Sequence, residues 1–396
     1  MRHINTTGFI TAAIFLMFLA ACGGSGDGPT SNPPPSSVTI GITPPETSLK
    51  LGGTVIFRVT PVNTNWRLTD ITAGFGCAAN VDNTVRCEPT TPGVYKITVT
   101  STADSNKKAT AQMTVLDITE IEPPVRAGIT DNAPVGMNSS GKVIVQQYNA
   151  NNKMKVCLYD GDSCEPIEPP DTGATANVYV FGINDTGDIL GLYDKGYFLK
   201  TGDGYKVLGE YQDADYTGYT GINDVGELIG YYTDSNGYSH GFIYDGSSFI
   251  RIDDPSAVDN SGCVTEQECG TFFMGLNNSG QAVGYYKNAD GVSHGFIYKA
   301  DGTYILLEHP DAGPDNPINV YVMEINNLGQ AVGYSYDADG YASGFLYDDT
   351  LIEINHPDAS DEGKGTFITG ITNNGQAIGW YDAGGSRQGF LLENMF

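Results

Sequence analysis

Thr217-Gly-Tyr-Thr-Gly-Ile-Asn-Asp-Val-Gly-Glu-Leu-Ile-Gly-Tyr-Tyr232 is a stretch that the chain writes out repeatedly. Asp-rich residues follow it, then His240-Gly-Phe-Ile-Tyr244, then Phe249-Ile-Arg-Ile-Asp-Asp-Pro255. Another copy reads Met274-Gly-Leu-Asn-Asn-Ser-Gly-Gln-Ala-Val-Gly-Tyr-Tyr286, His294-Gly-Phe-Ile-Tyr298 and Tyr304-Ile-Leu-Leu-Glu-His-Pro310. The turn residue of the motif falls at Asn138, Asn184, Asn223, Asn277, Asn326 and Thr372, giving six copies at intervals of 46, 39, 54, 49 and 46 residues. A recurring period of roughly 20–50 residues marks stacked supersecondary units.

Each copy reads as four short strands. The first ends at Ile-Asn, and an Asn-Asp-x-Gly turn leads into the second, such as Glu227 to Tyr232. The third is Gly241-Phe-Ile-Tyr244 and the fourth Phe249-Ile-Arg-Ile252. Asn, Asp and Gly supply the left-handed positions that tight hairpins need. Six four-stranded units describe an all-β fold, a six-bladed β-propeller over residues 117–396. The sixth copy stops after its third strand. Ile118-Thr-Glu-Ile-Glu122 matches fourth-strand segments such as Leu351-Ile-Glu-Ile354, so it is predicted to pair beside Phe390–Leu392 and complete the last blade. That closure hides two sheet edges that would otherwise invite aggregation.

Acids outnumber bases 47 to 20, a formal charge of −27, and only 17% of residues are charged. An acidic surface repels phosphate backbones, which argues against nucleic acid as a partner. At the N-terminus Arg2 and His3 precede an apolar run from Phe9 to Leu19, too short to span a bilayer and shaped like an export signal over residues 1–21. Its ending, Leu19-Ala-Ala-Cys22 followed by Gly-Gly, resembles the lipobox of bacterial lipoproteins. That resemblance implies diacylglycerol on the Cys22 thiol, a membrane partner through that anchor, and a bacterial cell-envelope address at the outer membrane. Residues 22–37, rich in Gly, Pro and Ser, form a tether.

The remaining cysteines come as three close pairs: Cys77 and Cys87, Cys157 and Cys164, Cys263 and Cys269. Local disulfides in an oxidising compartment are expected, since the spacing fits no zinc pattern. Residues 38–116 lack the repeat and show alternating runs such as Thr54-Val-Ile-Phe-Arg-Val-Thr60 and Val94-Tyr-Lys-Ile-Thr-Val-Thr100, a small β-sandwich. Pro92-Gly-Val-Tyr-Lys-Ile-Thr-Val-Thr-Ser101 and the strand after it resemble the last two strands of bacterial immunoglobulin-like surface domains. Such domains act mainly as spacers. Trp66 reads as a core residue of this part rather than a surface binding residue.

The repeat itself resembles the HAF family of probable extracellular repeats, through His240-Gly-Phe242, His294-Gly-Phe296, Ser343-Gly-Phe345 and Gln388-Gly-Phe390 together with the Gly-Ile-Asn-Asp-x-Gly segments. The resemblance covers about residues 118–396, implies an extracellular location, and brings no catalytic residues. It departs from the pattern at copy one, where Val156-Cys-Leu-Tyr159 replaces the tripeptide.

In a four-stranded meander the two-to-three loops and the four-to-next-one loops share a face. That face is the candidate binding surface, and it holds Asp234, His240, Asp290, His294, His309, Asp311, Asp337, Asp339, His356 and Asp358. Three sharper chemistries are weighed against it. Gly237-Tyr-Ser-His-Gly241 and Gly291-Val-Ser-His-Gly295 match a hydrolase elbow, but they lie on strand–loop–strand repeats, not a strand–turn–helix. The Asp-x-Asp-Gly pieces are fragments of calcium loops without the full spacing. His309 and His356 recur at equivalent positions, which favours a strand-end role over acid–base chemistry. No catalytic residue, metal ligand or cofactor is therefore assigned, calcium being the one ion left open. The sequence points to a binding or scaffold protein recognising a glycan or another surface protein. The alternative is a propeller hydrolase or lyase acting on polysaccharide, which needs paired carboxylates at the ring's mouth.

Overall fold

Period-two alternation is carried through into structure. The computed structural model describes residues 39–60, 66–71, 76–80, 82–124, 129–149, 154–170, 177–257, 269–287, 291–313, 316–360 and 365–394. The expected signal peptide, Cys22 and the whole of the tether, together with Cys263 and Asp290, lie outside the described residues. Among the described residues every regular element is a β-strand.

Two sheets come first. One orders Gly41–Thr43, Val55–Thr60, Thr84–Cys87 and Cys77–Ala79; the other orders Glu46–Lys50, Lys108–Ile121, Gly93–Ser101 and Trp66–Ile71. Their inward positions, Phe57, Val59, Val85, Ile97, Val99 and Met113, are at most 1% exposed and share one core. Each such side chain contributes about 1.5–3 kcal/mol on burial. Trp66 packs against this core while its Nε1 donates to Asn83 Oδ1 at 3.0 Å. Cys77 and Cys87 are disulfide-bonded across an antiparallel pair.

The repeats then form six units. Unit three is Tyr216–Ile222, Leu228–Thr233, Ser239–Tyr244 and Phe249–Ile252, each strand antiparallel to the one before. Units one, two, four and five follow the same meander, beginning at Ile129–Met137, Tyr179–Ile183, Gly270–Leu276 and Asn319–Ile325. In unit one the Cys157–Cys164 disulfide ties the third strand to the fourth. Unit six supplies Thr366–Ile371, Ala377–Asp382 and Arg387–Glu393, and its fourth place is taken by the end of Lys108–Ile121. The register there sets Ile121 against Gly389 and Ile118 against Leu392.

First strands pack on first strands in succession, and that of unit six packs on that of unit one. The six units are thus the blades of a β-propeller with the first strands nearest the axis. Each first strand carries a bulge at the same place, for example between Tyr219 and Gly221 and between Phe273 and Gly275. The residue left over can reach sideways. Thr220 Oγ1 donates to Phe273 O at 2.8 Å, and Thr369 Oγ1 donates to Pro134 O at 3.0 Å, each bond reaching the next blade. The glycine of the His-Gly-Phe tripeptide has a packing reason: a Cβ on Gly241 would overlap the ring of Phe273 in the neighbouring blade.

The sequence boundary expected at 116/117 falls inside one unbroken strand. Lys108–Ile121 pairs with Gly93–Ser101 through its first half and with Arg387–Glu393 through its second. Leu116, expected to end the sandwich, is wholly buried in the core of blade six.

Candidate functional site

The two ends of the axis differ in chemistry. At the end where first strands turn into second strands, the repeated Asn residues form a ring. Each uses both halves of its amide. Asn223 Oδ1 accepts from Glu227 N at 2.8 Å within its own turn, while Nδ2 donates to Asn277 O at 3.3 Å in the next blade. The series continues from Asn184 to Asn223 O at 2.9 Å, Asn277 to Asn326 O at 2.9 Å, and Asn326 to Thr372 O at 3.1 Å. Thr372 has no amide to pass on; that gap is bridged by Asn374 Nδ2, which donates to Ser139 O at 3.1 Å. The turn closes on a glycine with positive φ, such as Gly226 at 85° and Gly329 at 85°.

A second ring lies beside the first. Backbone N–H groups of Ser139, Asp185, Asp224, Asn278 and Asn327 each donate to the side chain one blade on, at 2.6–2.9 Å. Asp224 Oδ2 collects the amides of Asn278 at 2.8 Å and Asn373 at 3.3 Å. Below this rim is an axial well of about 50 Å³, lined by Gly136, Gly182 and Gly370 among others, and by Glu324. Five inner strands carry Gly at that place (Gly136, Gly182, Gly221, Gly275 and Gly370), and the fifth blade carries Glu324. Protein encloses its carboxyl, and the surface it keeps faces the well. Burial first, and then the nearby Asp224 charge, push its pKa up to about 8, against the Ile325 N–H that favours the anion.

At the opposite end the inner strands begin, and aromatic rings follow one another from blade to blade. Phe272, Tyr321 and Phe367 pair across to Tyr285, Tyr334 and Trp380 on the second strands. Ring centroids step from Tyr231 to Phe272 at 5.0 Å, Tyr285 at 5.0 Å, Tyr321 at 4.8 Å and Tyr334 at 5.3 Å. Phe367 at 5.1 Å and Trp380 at 3.9 Å continue the belt. Tyr216, 45% exposed, extends it from Tyr231 toward Tyr197. Arg387 closes it, 4.7 Å above the Trp380 ring and 5.6 Å from that of Tyr148. Most of these rings keep one part exposed.

The residues expected to form the binding face are not gathered into one site. His240 is 4% exposed, flanked by Tyr232 and Tyr238, with Nδ1 3.1 Å from Asp253. His356 is 3% exposed and stacks on Tyr381 at 3.6 Å. These two are interior groups, buried because the His-Gly-Phe strand and the His-Pro corner both turn inward between blades. His294 stacks on Tyr286. His309 Nε2 faces Glu353 of the next blade at 3.8 Å; Glu353 raises the His309 pKa, and its own falls to about 2, chiefly through His309. Asp234 and Asp337 accept N–H groups of their own turns, at 2.9 Å from Tyr238 and 2.8 Å from Tyr341. Asp311 and Asp339 are exposed, and Asp358 is ion-paired with Lys50 at 2.8 Å.

Among the described residues one group brings three metal-ligating side chains within 4.8 Å of one another: Glu120, His356 and Asp358. It does not fit a metal. Lys50 Nζ already stands between the two carboxylates, at 2.7 Å from Glu120 and 2.8 Å from Asp358. His356 Nδ1 accepts the Asp358 N–H at 3.2 Å, so the proton of the neutral ring sits on Nε2, the nitrogen that faces Glu120.

The axial Glu324, the amide rings and the aromatic belt were missed by reading the copies singly. Laying the six first strands in register shows Glu324 against five glycines, and shows aromatic residues recurring at one position.

No family model matches the chain, and no curated protein matches it. Solved structures with some likeness include a lectin of Aleuria aurantia in complex with Fucα1-6GlcNAc, at TM-score 0.39 and 13% identity over 66% of this chain and 93% of that one. Virginiamycin B lyase of Staphylococcus aureus gives TM-score 0.36 and 12% identity over 84% and 100%. The extracellular domain of a one-component system of B. thetaiotaomicron gives 0.36 and 14% over 69% and 39%. At these scores the likenesses assign neither a family nor an activity.

Proposed function

We propose that this chain is a lipid-anchored envelope protein whose propeller binds a glycan at the aromatic belt. The belt itself carries the reading. Tyr, Phe and Trp rings stand in contact round most of the axis, and the Tyr and Trp rings keep part of their surface in water, although burying them fully would contribute about 1.5–3 kcal/mol each. Flat apolar faces with hydroxyl or indole edges stack on sugar rings while the edges meet hydroxyl groups. The strand shared by sandwich and propeller supports a role for the sandwich as a stiff spacer, because a continuous ladder leaves no hinge between them. The tether and the Cys22 anchor extend the reading to the bacterial outer membrane.

The test is a glycan array with the purified mature chain, repeated with Trp380→Ala and Tyr285→Ala. Saccharide binding that both variants weaken at unchanged thermal stability supports the reading. An empty array, or binding indifferent to both, refutes it. Cys22→Ser should release the protein from membranes; unchanged fractionation would rule out the anchor.

A further inference from the structure

We infer that the saccharide taken at the belt is an acidic one, held by Arg387 through a sugar carboxylate. This rests on the belt reading and narrows it to uronate-type ligands. Acids exceed bases by 27 in this chain, so a surface arginine should readily find a carboxylate. Arg86 pairs with Glu88, and Arg251 pairs with Asp253 at 2.6 Å. Arg58, Arg67 and Arg387 are exposed and, among the described residues, form no such ion pair; what sets Arg387 apart is its contact with aromatic rings. Its guanidinium instead lies 4.7 Å from the Trp380 ring centre and 5.6 Å from that of Tyr148. Its place is also fixed at the backbone, where its N–H donates to Asp131 Oδ1 at 2.9 Å across the junction between the last and first blades.

Stacking on Trp380 orients the guanidinium plane, and a side-chain hydrogen bond to Tyr148 steadies it, leaving further N–H donors of the fork for a ligand. Two parallel N–H groups match the spacing of a carboxylate, and that bidentate geometry is the strong form of the contact. Trp380 beside it offers a face for the sugar ring that bears the carboxylate. Phosphate would satisfy the fork as well, but it would leave the adjoining aromatic surface bare. Exposed charges farther than about 8 Å are screened at physiological salt, so of the chain's net negative charge it is the Asp131 carboxylate, held on the Arg387 N–H, that an anionic sugar must offset.

The experiment compares a uronate oligosaccharide with its carboxyl-reduced counterpart by calorimetry, on the mature chain and on R387A, R387K and W380A. The wild-type protein should prefer the uronate form by about tenfold or more. R387A should abolish the preference between the two forms. R387K keeps the charge without the fork and should recover only part of the preference. W380A should weaken both ligands. Equal affinity for the two sugars, or a preference that survives R387A, overturns the assignment of Arg387 while the belt still binds glycan. Binding of neither sugar overturns the belt reading together with it.

Discussion

Replacing Glu324 by Gln tests the electrostatics of the axial well. The substitution keeps the shape of the side chain and removes its titration. In the folded chain burial and Asp224 hold the carboxyl's pKa at about 8, against an ordinary value of 4.5. An acid whose folded pKa is raised binds its proton more tightly in the folded state than in the unfolded one. Its contribution is therefore present below pH 4.5 and is lost as the pH rises towards 8. At about 1.4 kcal/mol per pH unit, the loss reaches about 3 kcal/mol near pH 7 and up to about 5 kcal/mol above pH 8. The difference in unfolding free energy between E324Q and the parent should thus be small at pH 4.5 and grow in favour of Gln up to pH 9. Urea denaturation followed by tryptophan fluorescence at pH 4.5, 7 and 9 measures it. Taking the difference between the two proteins cancels every other titrating group. A difference that stays flat across that range, or that favours Glu at high pH, refutes the buried-acid account.

Asn277→Asp should cost about 1–3 kcal/mol by denaturant titration, because it removes the donor to Asn326 O at 2.9 Å and sets a carboxylate against a carbonyl; an unchanged midpoint would remove the amide ring from the account of stability. His356, whose pKa burial and then the Lys50 charge lower to about 4, is a base that resists protonation in the fold, so stability should fall by up to about 3 kcal/mol between pH 6.5 and pH 4. His356→Gln should flatten that part of the stability–pH curve, and a curve of unchanged slope would contradict the buried neutral histidine. Reducing the Cys77–Cys87 and Cys157–Cys164 disulfides, which span 10 and 7 residues, should cost about 2–3 kcal/mol each in the chain-entropy model, read as a shift in the denaturation midpoint with and without reductant.

Much of the fold was legible in the chain because its causes are local. Asn-x-x-Gly turns are set by residues three apart, and the strands between them by alternation. The apolar-x-Glu-Ile pattern common to Ile118–Ile121 and Leu351–Ile354 reflects a shared place, since each lies antiparallel to the third strand of a blade. The candidate site was less legible because its causes are distant. Asn277 looks like a turn former, and its Oδ1 is one; its Nδ2 serves a carbonyl 49 residues away. His240 and His356 sit beside polar loop residues in sequence and look exposed, yet rings from adjoining strands cover them. One strand also runs through the expected sandwich boundary, its pairing with Gly93–Ser101 ending at Val115 and that with Arg387–Glu393 beginning at Asp117. Nothing in the sequence at Leu116 tells that one strand continues into a different sheet.

The separation of the two axial ends bears on how such a protein can change ligands. The cross-blade bonds of the amide rings belong to turns that carry none of the belt residues. The belt residues lie at the far end of the same inner strands, beyond the bulge. A substitution in the belt therefore leaves the amide rings intact. Blades three and six show this directly. The inner-strand place held by Phe367, opposite Trp380, is Gly218 opposite Tyr231 in blade three, yet both blades keep the same bulge. Their turns keep the pattern as well: the backbone N–H of Asn223 and of Thr372 donates to the carbonyl four residues on, at 3.1 Å and 2.8 Å. Ring stability resides at one end and side-chain variety at the other, so the aromatic pattern of the belt can vary without loss of the ring.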